Sequence, residues 1–161
     1  MASKKGMIIT GGILAVITLA SFLTWLVPQA TNQSFVITDY GAHLDGVENI
    51  HSIILLDLDA DLQRLYDGGM ESDDYILMAE VASSQVNSQV IGLVESGAPE
   101  EWQASYIEYM EALRQTNSYI RETMVVAESM KDGGPGEGQD RAEQAKSAIQ
   151  DLIDASRAAR P

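Results

Sequence analysis

The sequence has no cysteine and only two histidines, and both shortages limit the chemistry available to the chain. Without cysteine, disulfide bonds, thiolate metal sites and cysteine nucleophiles are excluded. The Ser-His-Asp order, the glycine-rich phosphate loop and the nucleophile elbow are missing as well. We therefore expect a protein that is not itself an enzyme and needs no cofactor, although it could be a non-catalytic subunit of an enzyme complex.

Basic residues are scarce too. The 161 residues include 24 acidic and ten basic side chains, which gives a formal net charge of −14. No acidic residue precedes Asp39, and only eight of the basic residues follow it. A surface this acidic repels nucleic acid, so we expect no nucleic-acid partner. It favours cationic partners, metal ions, or solubility in a salty medium.

One long stretch, Met7 to Val27, contains no charge at all. At about 1.5 Å per residue, a helix of this length just crosses a hydrocarbon core of roughly 30 Å. Lys4 and Lys5 precede the stretch, and no basic residue follows it closely. This asymmetry predicts a single transmembrane helix over residues 7–27, with residues 1–6 cytoplasmic and the remaining chain on the outer side of the cell membrane.

A cleaved signal peptide is one alternative for this stretch. Thr18 to Ala20 is a small-residue cleavage site, and two lysines provide the basic start. The apolar run continues for seven residues beyond Ala20, however, and a secreted protein has little reason to keep them. The length of the run favours a retained anchor.

A filament subunit is a second alternative. Lys4 to Gly6, followed by the apolar run, resembles the site that prepilin-type peptidases cut in pilins and archaellins. The resemblance covers the first 27 residues and implies that the apolar helix would form the core of a filament. Bacterial members usually carry a glutamate five residues past the cut, where this chain has Gly11.

Beyond the span, apolar residues recur at intervals of three and four, which is the helical period. Short connections make consecutive helices antiparallel. The predicted fold is all-α, a single N-terminal transmembrane helix followed by an extracytoplasmic antiparallel bundle of three to four helices. Its predicted parts are a juxtamembrane connector (28–46), a three-helix bundle (47–130) with helices at 47–66, 73–95 and 99–130, a flexible glycine-rich linker (131–139) and a C-terminal amphipathic helix (140–161).

The first two bundle helices have recognisable start signals. Asp45 is the predicted N-cap of the first helix, with Glu48 three residues later as in a capping box. Ser72 is the predicted N-cap of the second helix. In the first helix, Ile53, Leu55 and Leu56 widen the apolar side beyond one stripe. We therefore expect this helix to be buried on more than one side.

The third helix approaches 50 Å at about 1.5 Å per residue, so it is longer than the first two. Its far end therefore needs another packing partner. The fourth helix has a narrow, alanine-rich apolar side. Two placements are open for it: it packs back on the third helix, or it packs on another subunit.

The two histidines are candidates for a transition-metal site. His43 and His51 lie eight residues apart across the predicted start of the first helix, with Asp39 and Glu48 nearby. Two imidazoles and a carboxylate could bind copper or zinc. Their spacing matches no established ligand pattern, and two surface histidines at a helix entrance are the simpler interpretation.

A run of alternating aspartates, Asp57, Asp59 and Asp61, has the opening pattern of a calcium loop. Leu62 then stands where the loop requires glycine, and Gly68 stands where it requires glutamate. We interpret this run as a solvated, partly paired side of a helix.

Five residues are candidates for contacts with lipid or with other subunits. Gly11 and Gly12 could admit a close helix neighbour in the bilayer, although glycine is frequent in membrane helices anyway. Trp25 lies at the outer end of the span, where an indole suits the membrane interface. Trp102 is typical of a core or an interface. Asn117 falls within an apolar stripe, where an unpaired amide is costly, so it predicts a polar contact to a partner.

Together these features favour a single-span, membrane-anchored structural or accessory subunit of a larger membrane protein complex. Its partners would be the lipid bilayer and other membrane protein subunits in a hetero-oligomer. A cation-binding or small-ligand-binding ectodomain is an alternative because of the acidic charge. A filament subunit of the pilin or archaellin type is another.

Overall fold

The computed structural model describes residues 37–134 and 138–161. Over these residues the chain forms four α-helices and no strand, which confirms the predicted all-α helical bundle. The helices are α1 (Tyr40–Tyr66), α2 (Ser72–Glu95), α3 (Glu100–Lys131) and α4 (Gln139–Ala158). The predicted transmembrane segment, residues 7–27, lies outside the described residues. None of these four helices combines the length and apolar character that a bilayer span requires.

Contacts between helices define an up-down-up-down bundle. Ser105, near the start of α3, hydrogen-bonds Ser156, near the end of α4, at 3.2 Å. Glu48, near the start of α1, pairs with Arg157, also near the end of α4. Helix α4 is therefore antiparallel to both α1 and α3, and α1 and α3 run in the same direction. This is the connectivity expected for helices joined by short loops.

Helix α1 begins at Tyr40, earlier than the predicted start at residue 47. The N-cap is Asp39, whose side chain accepts a hydrogen bond from the Ala42 amide at 2.8 Å. The predicted cap, Asp45, lies inside the helix. The early start also depends on tertiary packing, because Trp102 of α3 lies so close to Gly41 that a Cβ there would be 3.1 Å from the indole.

The start of α2 also differs from the prediction, by one residue. Ser72 is the first helical residue, and Glu71 occupies the N-cap position without a side-chain hydrogen bond to the helix. Asp73 and Asp74 lie in the first turn instead. Their negative charges interact favourably with the positive end of the helix dipole, so the helix starts without a capping side chain.

Helix α3 is the central element and contacts the other three helices. Its buried residues form two adjacent rows, because it packs against neighbours on both sides. The rows include three tyrosines and two threonines, so this core is unusually polar. The fully or nearly fully buried residues of α3 include Tyr106, Tyr109, Leu113, Thr116, Tyr119, Ile120, Thr123 and Val126.

Helix α1 is buried on one side only, so the expectation that it is buried on more than one side is wrong. Ile53 is 50% exposed and Leu56 is 68% exposed. The residues of α1 that reach the core are Leu44, Val47, His51, Ile54, Leu58, Leu62 and Leu65. Since α2 and α3 occupy only that side of α1, its other aliphatic residues remain in contact with solvent.

Helix α4 packs back on α3, which is the first of its two open placements. Alanines at positions 142 and 145 are buried, and their small side chains allow the two helices to approach closely. Polar pairs to α1 supplement this narrow apolar contact. Lys146 donates to Asp59 at 2.6 Å, and Arg160, just beyond α4, donates to Asp45 at 2.6 Å. The long α3 is thereby covered within the chain.

The carboxylate of Glu48 is the main polar attachment point for the end of α4. It accepts hydrogen bonds from Arg157 and Arg160. Replacement of Glu48 by Gln should lower the free energy of unfolding by about 1 kcal/mol, because its charge-assisted hydrogen bonds to the two arginines weaken. Urea unfolding of the full chain in mild detergent measures this change.

The matched control for this prediction is Glu111→Gln. Glu111 makes one exposed pair with Arg114, three residues away, at 3.2 Å. Such pairs contribute little, so the control should change stability by less than about 0.5 kcal/mol. Equal effects of the two substitutions would contradict the view that Glu48 fastens α4 to α1.

Candidate functional site

Both histidines lie in α1 and face tyrosines of α3. His43 Nδ1 is 2.9 Å from the Tyr106 hydroxyl, and His51 Nδ1 is 2.9 Å from the Tyr109 hydroxyl. Because α1 begins at Tyr40, His43 is helical and does not lie ahead of a helix entrance. The two imidazoles therefore belong to one α1–α3 contact.

The hydrogen bonds of His51 fix its tautomer. The Thr116 hydroxyl donates to the Ala112 carbonyl at 2.9 Å, so it can only accept from His51 Nε2–H, at 2.7 Å. His51 Nδ1 then has a free lone pair and accepts from the Tyr109 hydroxyl. His51, Tyr109 and Thr116 are all buried. Both ring nitrogens are thus engaged by the protein.

Burial keeps both histidines neutral. Removal from water lowers the pKa of His51 to about 4, against a smaller opposing effect from the Glu48 charge. Burial also lowers the pKa of His43. The same effect raises the pKa of Tyr106 to about 12, so its hydroxyl stays protonated and able to donate. This arrangement is a neutral hydrogen-bonded network inside the bundle.

The structure does not bring the four metal candidates together. Among residues 37–134 and 138–161, no group of three or more histidine, aspartate and glutamate side chains is placed to hold a metal ion. Asp39 caps α1, Glu48 pairs with arginines of the α4 end, and His51 is enclosed by α3. These residues therefore have separate structural roles.

The alternating aspartates of α1 form a helical segment. Asp59 accepts hydrogen bonds from the Tyr119 hydroxyl and from Lys146, each at 2.6 Å. Asp61 pairs with Arg64 at 3.0 Å. Asp59 thereby connects α1 to α3 and α4, whereas the Asp61 pair lies within α1. This agrees with a partly paired side of a helix.

Of the five candidates for contact residues, Gly11, Gly12 and Trp25 lie outside the described residues. Trp102 is half-buried and packs edge-on against Tyr106, with ring centroids 6.4 Å apart, so part of its indole is used inside the bundle.

The Asn117 side chain makes the polar contact that its position predicts, but it does so within the chain. Its amide donates to Asn87 of α2 at 2.9 Å, and its oxygen accepts from Ser83 of α2 at 2.8 Å. These bonds link α2 to α3 at one level of the bundle. Asn117 therefore sets the register of two helices of the same chain.

A different surface emerges from the exposed hydrophobic residues. Among the described residues, eleven large hydrophobic side chains are exposed, and nine of them lie on α1 and α2. Isolated exposed aliphatic residues are ordinary, but a concentration on two adjacent helices is typical of an interaction surface. The nine are Ile50, Ile53, Leu56 and Tyr66 on α1, and Leu77, Met78, Val81, Ile91 and Val94 on α2.

This region is also almost free of charge. The segment Val81–Val94 of α2 contains no charged residue, and Gly46–Leu56 of α1 contains only Glu48, which is paired with α4. Both segments belong to the part of the chain that has 24 acidic residues and only eight basic ones. We call the exposed side chains of these two segments the neutral face.

The two segments lie side by side. Helices α1 and α2 are antiparallel neighbours joined by a short connection. Gly46 and Leu56 lie 20 and ten residues before the end of α1, and Gly92 and Ala82 lie 20 and ten residues after the start of α2. At about 1.5 Å per residue, these matching offsets place both segments at the same level.

A shallow groove of about 380 Å³ lies between α1 and α2 beside the neutral face. Met78, Val81 and Gln85 line its α2 side, and a paired carboxylate, Asp61, lies with Arg64 on its α1 side. The lining contains no histidine, serine or tyrosine.

No protein-family model matches the chain, and comparisons with curated proteins and with solved structures found no similar protein. Functional inference therefore depends on the geometry of this chain alone.

The sequence predicts the neutral face only in part. The apolar pattern predicts that Ile53 and Leu56 are buried, and it does not distinguish Leu77 and Val81 from other residues of α2. The signal that could have identified the face is the absence of charge between Glu80 and Glu95, in a chain rich in acidic residues.

The buried His51 makes stability depend on pH. In the unfolded chain its pKa is near 6.5, and in the fold it is about 4. As pH falls from 6.5 to 4, the unfolded state binds a proton that the folded state does not, so stability falls by up to roughly 3 kcal/mol. Urea unfolding of the full chain in mild detergent at pH 7 and pH 4.5 measures this loss.

Two variants isolate this effect from the titration of carboxylates. His51→Gln should show a smaller loss of stability over the same pH range, because the lowered pKa has been removed. His43→Gln, at a half-buried position, should retain most of the dependence. If His51→Gln and the unsubstituted chain lose stability equally, the protonation of His51 is not responsible.

Proposed function

We propose that this protein is a membrane-anchored, non-catalytic accessory subunit that docks its acidic helical bundle on other subunits of a membrane protein complex. The neutral face is the observation that carries this proposal. Exposed aliphatic side chains cost free energy in water unless another surface covers them. Their concentration on an uncharged region of a strongly acidic domain supports a permanent protein contact there.

The interior of the bundle supports a non-catalytic role. The buried imidazole of His51 is bonded to Tyr109 and Thr116, and the Asp59 carboxylate is bonded to Tyr119 and Lys146. A general acid or base must reach a substrate proton, whereas the buried imidazole of His51 reaches only Tyr109 and Thr116. Asp59 and Lys146 are partly exposed, and they form an ion pair with each other. The hydrogen bonds of His51 therefore favour a structural role over a catalytic one.

The chemistry of the neutral face also limits the partner. A charged partner surface would have to lose its hydration against Ile53 and Leu56, and no opposite charge would compensate it. An uncharged, apolar helix face of a neighbouring subunit fits better. The predicted span at residues 7–27 would hold the bundle beside such a subunit.

Extraction of native membranes with a gentle detergent, followed by a native gel and mass spectrometry, tests the proposal. The unsubstituted chain should migrate in a large, defined assembly whose other subunits identify the process served. Migration alone or as a small homo-oligomer would refute the accessory role.

Substitutions on α1 then test the docking surface. Ile53→Glu and Leu56→Glu should each remove most of the chain from the assembly, because a carboxylate would be buried in an apolar contact. Val125→Glu is the matched control, since Val125 is an exposed valine of α3 outside the neutral face. Unchanged migration of the two α1 variants would exclude the neutral face as the docking surface.

A further inference from the structure

We propose that two copies of this chain pair with each other through the outer side of α2. The inference rests on the proposed function, because it identifies one partner of the neutral face as a second copy of the chain. The α1 part of the face, with Ile53 and Leu56, then remains available for a different subunit. The outer side of α2 consists of Leu77, Val81, Ser84, Ser88 and Gly92.

These five residues lie along one line of the helix. Their spacings of four, three, four and four residues follow the helical period, so they share one side of α2. All five are exposed, and the intervening core residues Ala79, Ala82 and Val86 point into the bundle. The line extends over about 22 Å at 1.5 Å per residue.

The line is complementary to itself in size. If a second α2 lies antiparallel across a two-fold axis between Ser84 and Gln85, Leu77 of one copy lies opposite Gly92 of the other. Leu77 is 56% exposed, and the space around Gly92 is open, since nothing lies within 4 Å of the position of an added Cβ. The same axis places Val81 opposite Ser88. Two-fold symmetry makes each of these contacts twice.

The glycine itself supports a close approach by another helix. Gly92 lies within α2, where glycine costs about 1 kcal/mol relative to alanine. No atom of the described chain needs the space that a side chain would occupy there. A leucine of a second copy in that space gives the glycine a packing role.

The Ser88 hydroxyl would keep its hydrogen bond on pairing. The Ser88 hydroxyl donates to the Ser84 carbonyl at 3.0 Å, within the same helix. Serine in this conformation presents mainly its methylene group to a neighbour. The Ser88 hydroxyl can therefore lose water without losing its hydrogen bond.

Charge restricts where two copies can meet. Both are strongly acidic, so most approaches bring like charges together. The uncharged Val81–Val94 segment avoids this for most of the contact. The exposed carboxylates beside the contact are Asp73, Asp74 and Glu80 at one end and Glu95 at the other, so those of opposite copies repel each other there. Added salt screens that repulsion, so pairing should strengthen with salt. Binding of this acidic domain to a cationic partner would instead weaken as salt is added.

A single cysteine provides the first test, because the chain has none of its own. Full-length Ser84→Cys, placed next to the two-fold axis, should form a disulfide-linked dimer on mild oxidation in detergent. Ser147→Cys, at an exposed serine of α4, is the matched control and should remain mainly monomeric. Equal cross-linking of the two variants, or cross-linking of Ser84→Cys to a different protein in native membranes, would overturn the inference.

A glycine substitution provides the second test. Full-length Gly92→Leu should weaken dimerisation at least tenfold in sedimentation equilibrium, since the added side chain fills the space for Leu77 of the other copy. Folding stability should not fall, because the position is open and leucine favours helix. Gly46→Leu makes the same change at an open position of α1 and should leave the dimer intact. A monomeric unsubstituted chain, or equal weakening by both substitutions, would overturn the inference.

The two proposals fail in different ways. If the large assembly forms but the Ser84→Cys dimer does not, the pairing of α2 is refuted and the accessory role stands. If the dimer forms but no large assembly is found, the accessory role is refuted and the pairing stands.

Discussion

Two hydrogen bonds of a buried imidazole hold the first and third helices together. His51 accepts a hydrogen bond from Tyr109 and donates one to Thr116, so both the register and the distance of α1 and α3 are fixed. Helix α4 then fits beside both, with its alanines against α3 and its end attached to Glu48 of α1. Helix α2 is positioned separately by the bonds of Asn117 to Ser83 and Asn87. The alignment of the four helices thus depends on polar contacts as well as on apolar burial.

The bundle distributes polarity in an unusual way. Histidine, threonine and serine side chains lie inside, whereas isoleucine, leucine and valine side chains remain on the surface of α1 and α2. Polar groups inside a bundle define one geometry more strictly than aliphatic groups do, because each bond has a direction. Aliphatic groups outside add nothing to the fold of the single chain. Their presence is explained most simply by surfaces that are covered in an assembly, including the proposed pairing of α2.

The four helices could be predicted from the sequence because each has a regular apolar period and clear breaks at glycine and proline. The start of α1 has a local signal in its N-cap, Asp39, but the contact of Trp102 with Gly41 joins residues far apart in the sequence and could not be predicted. The pairing of His51 with Tyr109 was hidden for the same reason, as 58 residues separate them. The prediction that Ile53 and Leu56 are buried is wrong for a related reason. An apolar period shows which residues could be buried, but the positions of neighbouring helices determine which of them are buried.

The attachment of α4 to α1 has a consequence for biosynthesis. Glu48 and Arg157 are 109 positions apart, so the carboxylate is synthesised long before the guanidinium that binds it. Until then the newly made α1, α2 and α3 must hold the tyrosine-rich core of α3 without the helix that covers it. Contacts of such large sequence separation form late. A chain that emerges from the ribosome, or from a membrane channel, therefore completes its bundle only when α4 has followed, and until that time its partially formed core is open to chaperones or to neighbouring subunits.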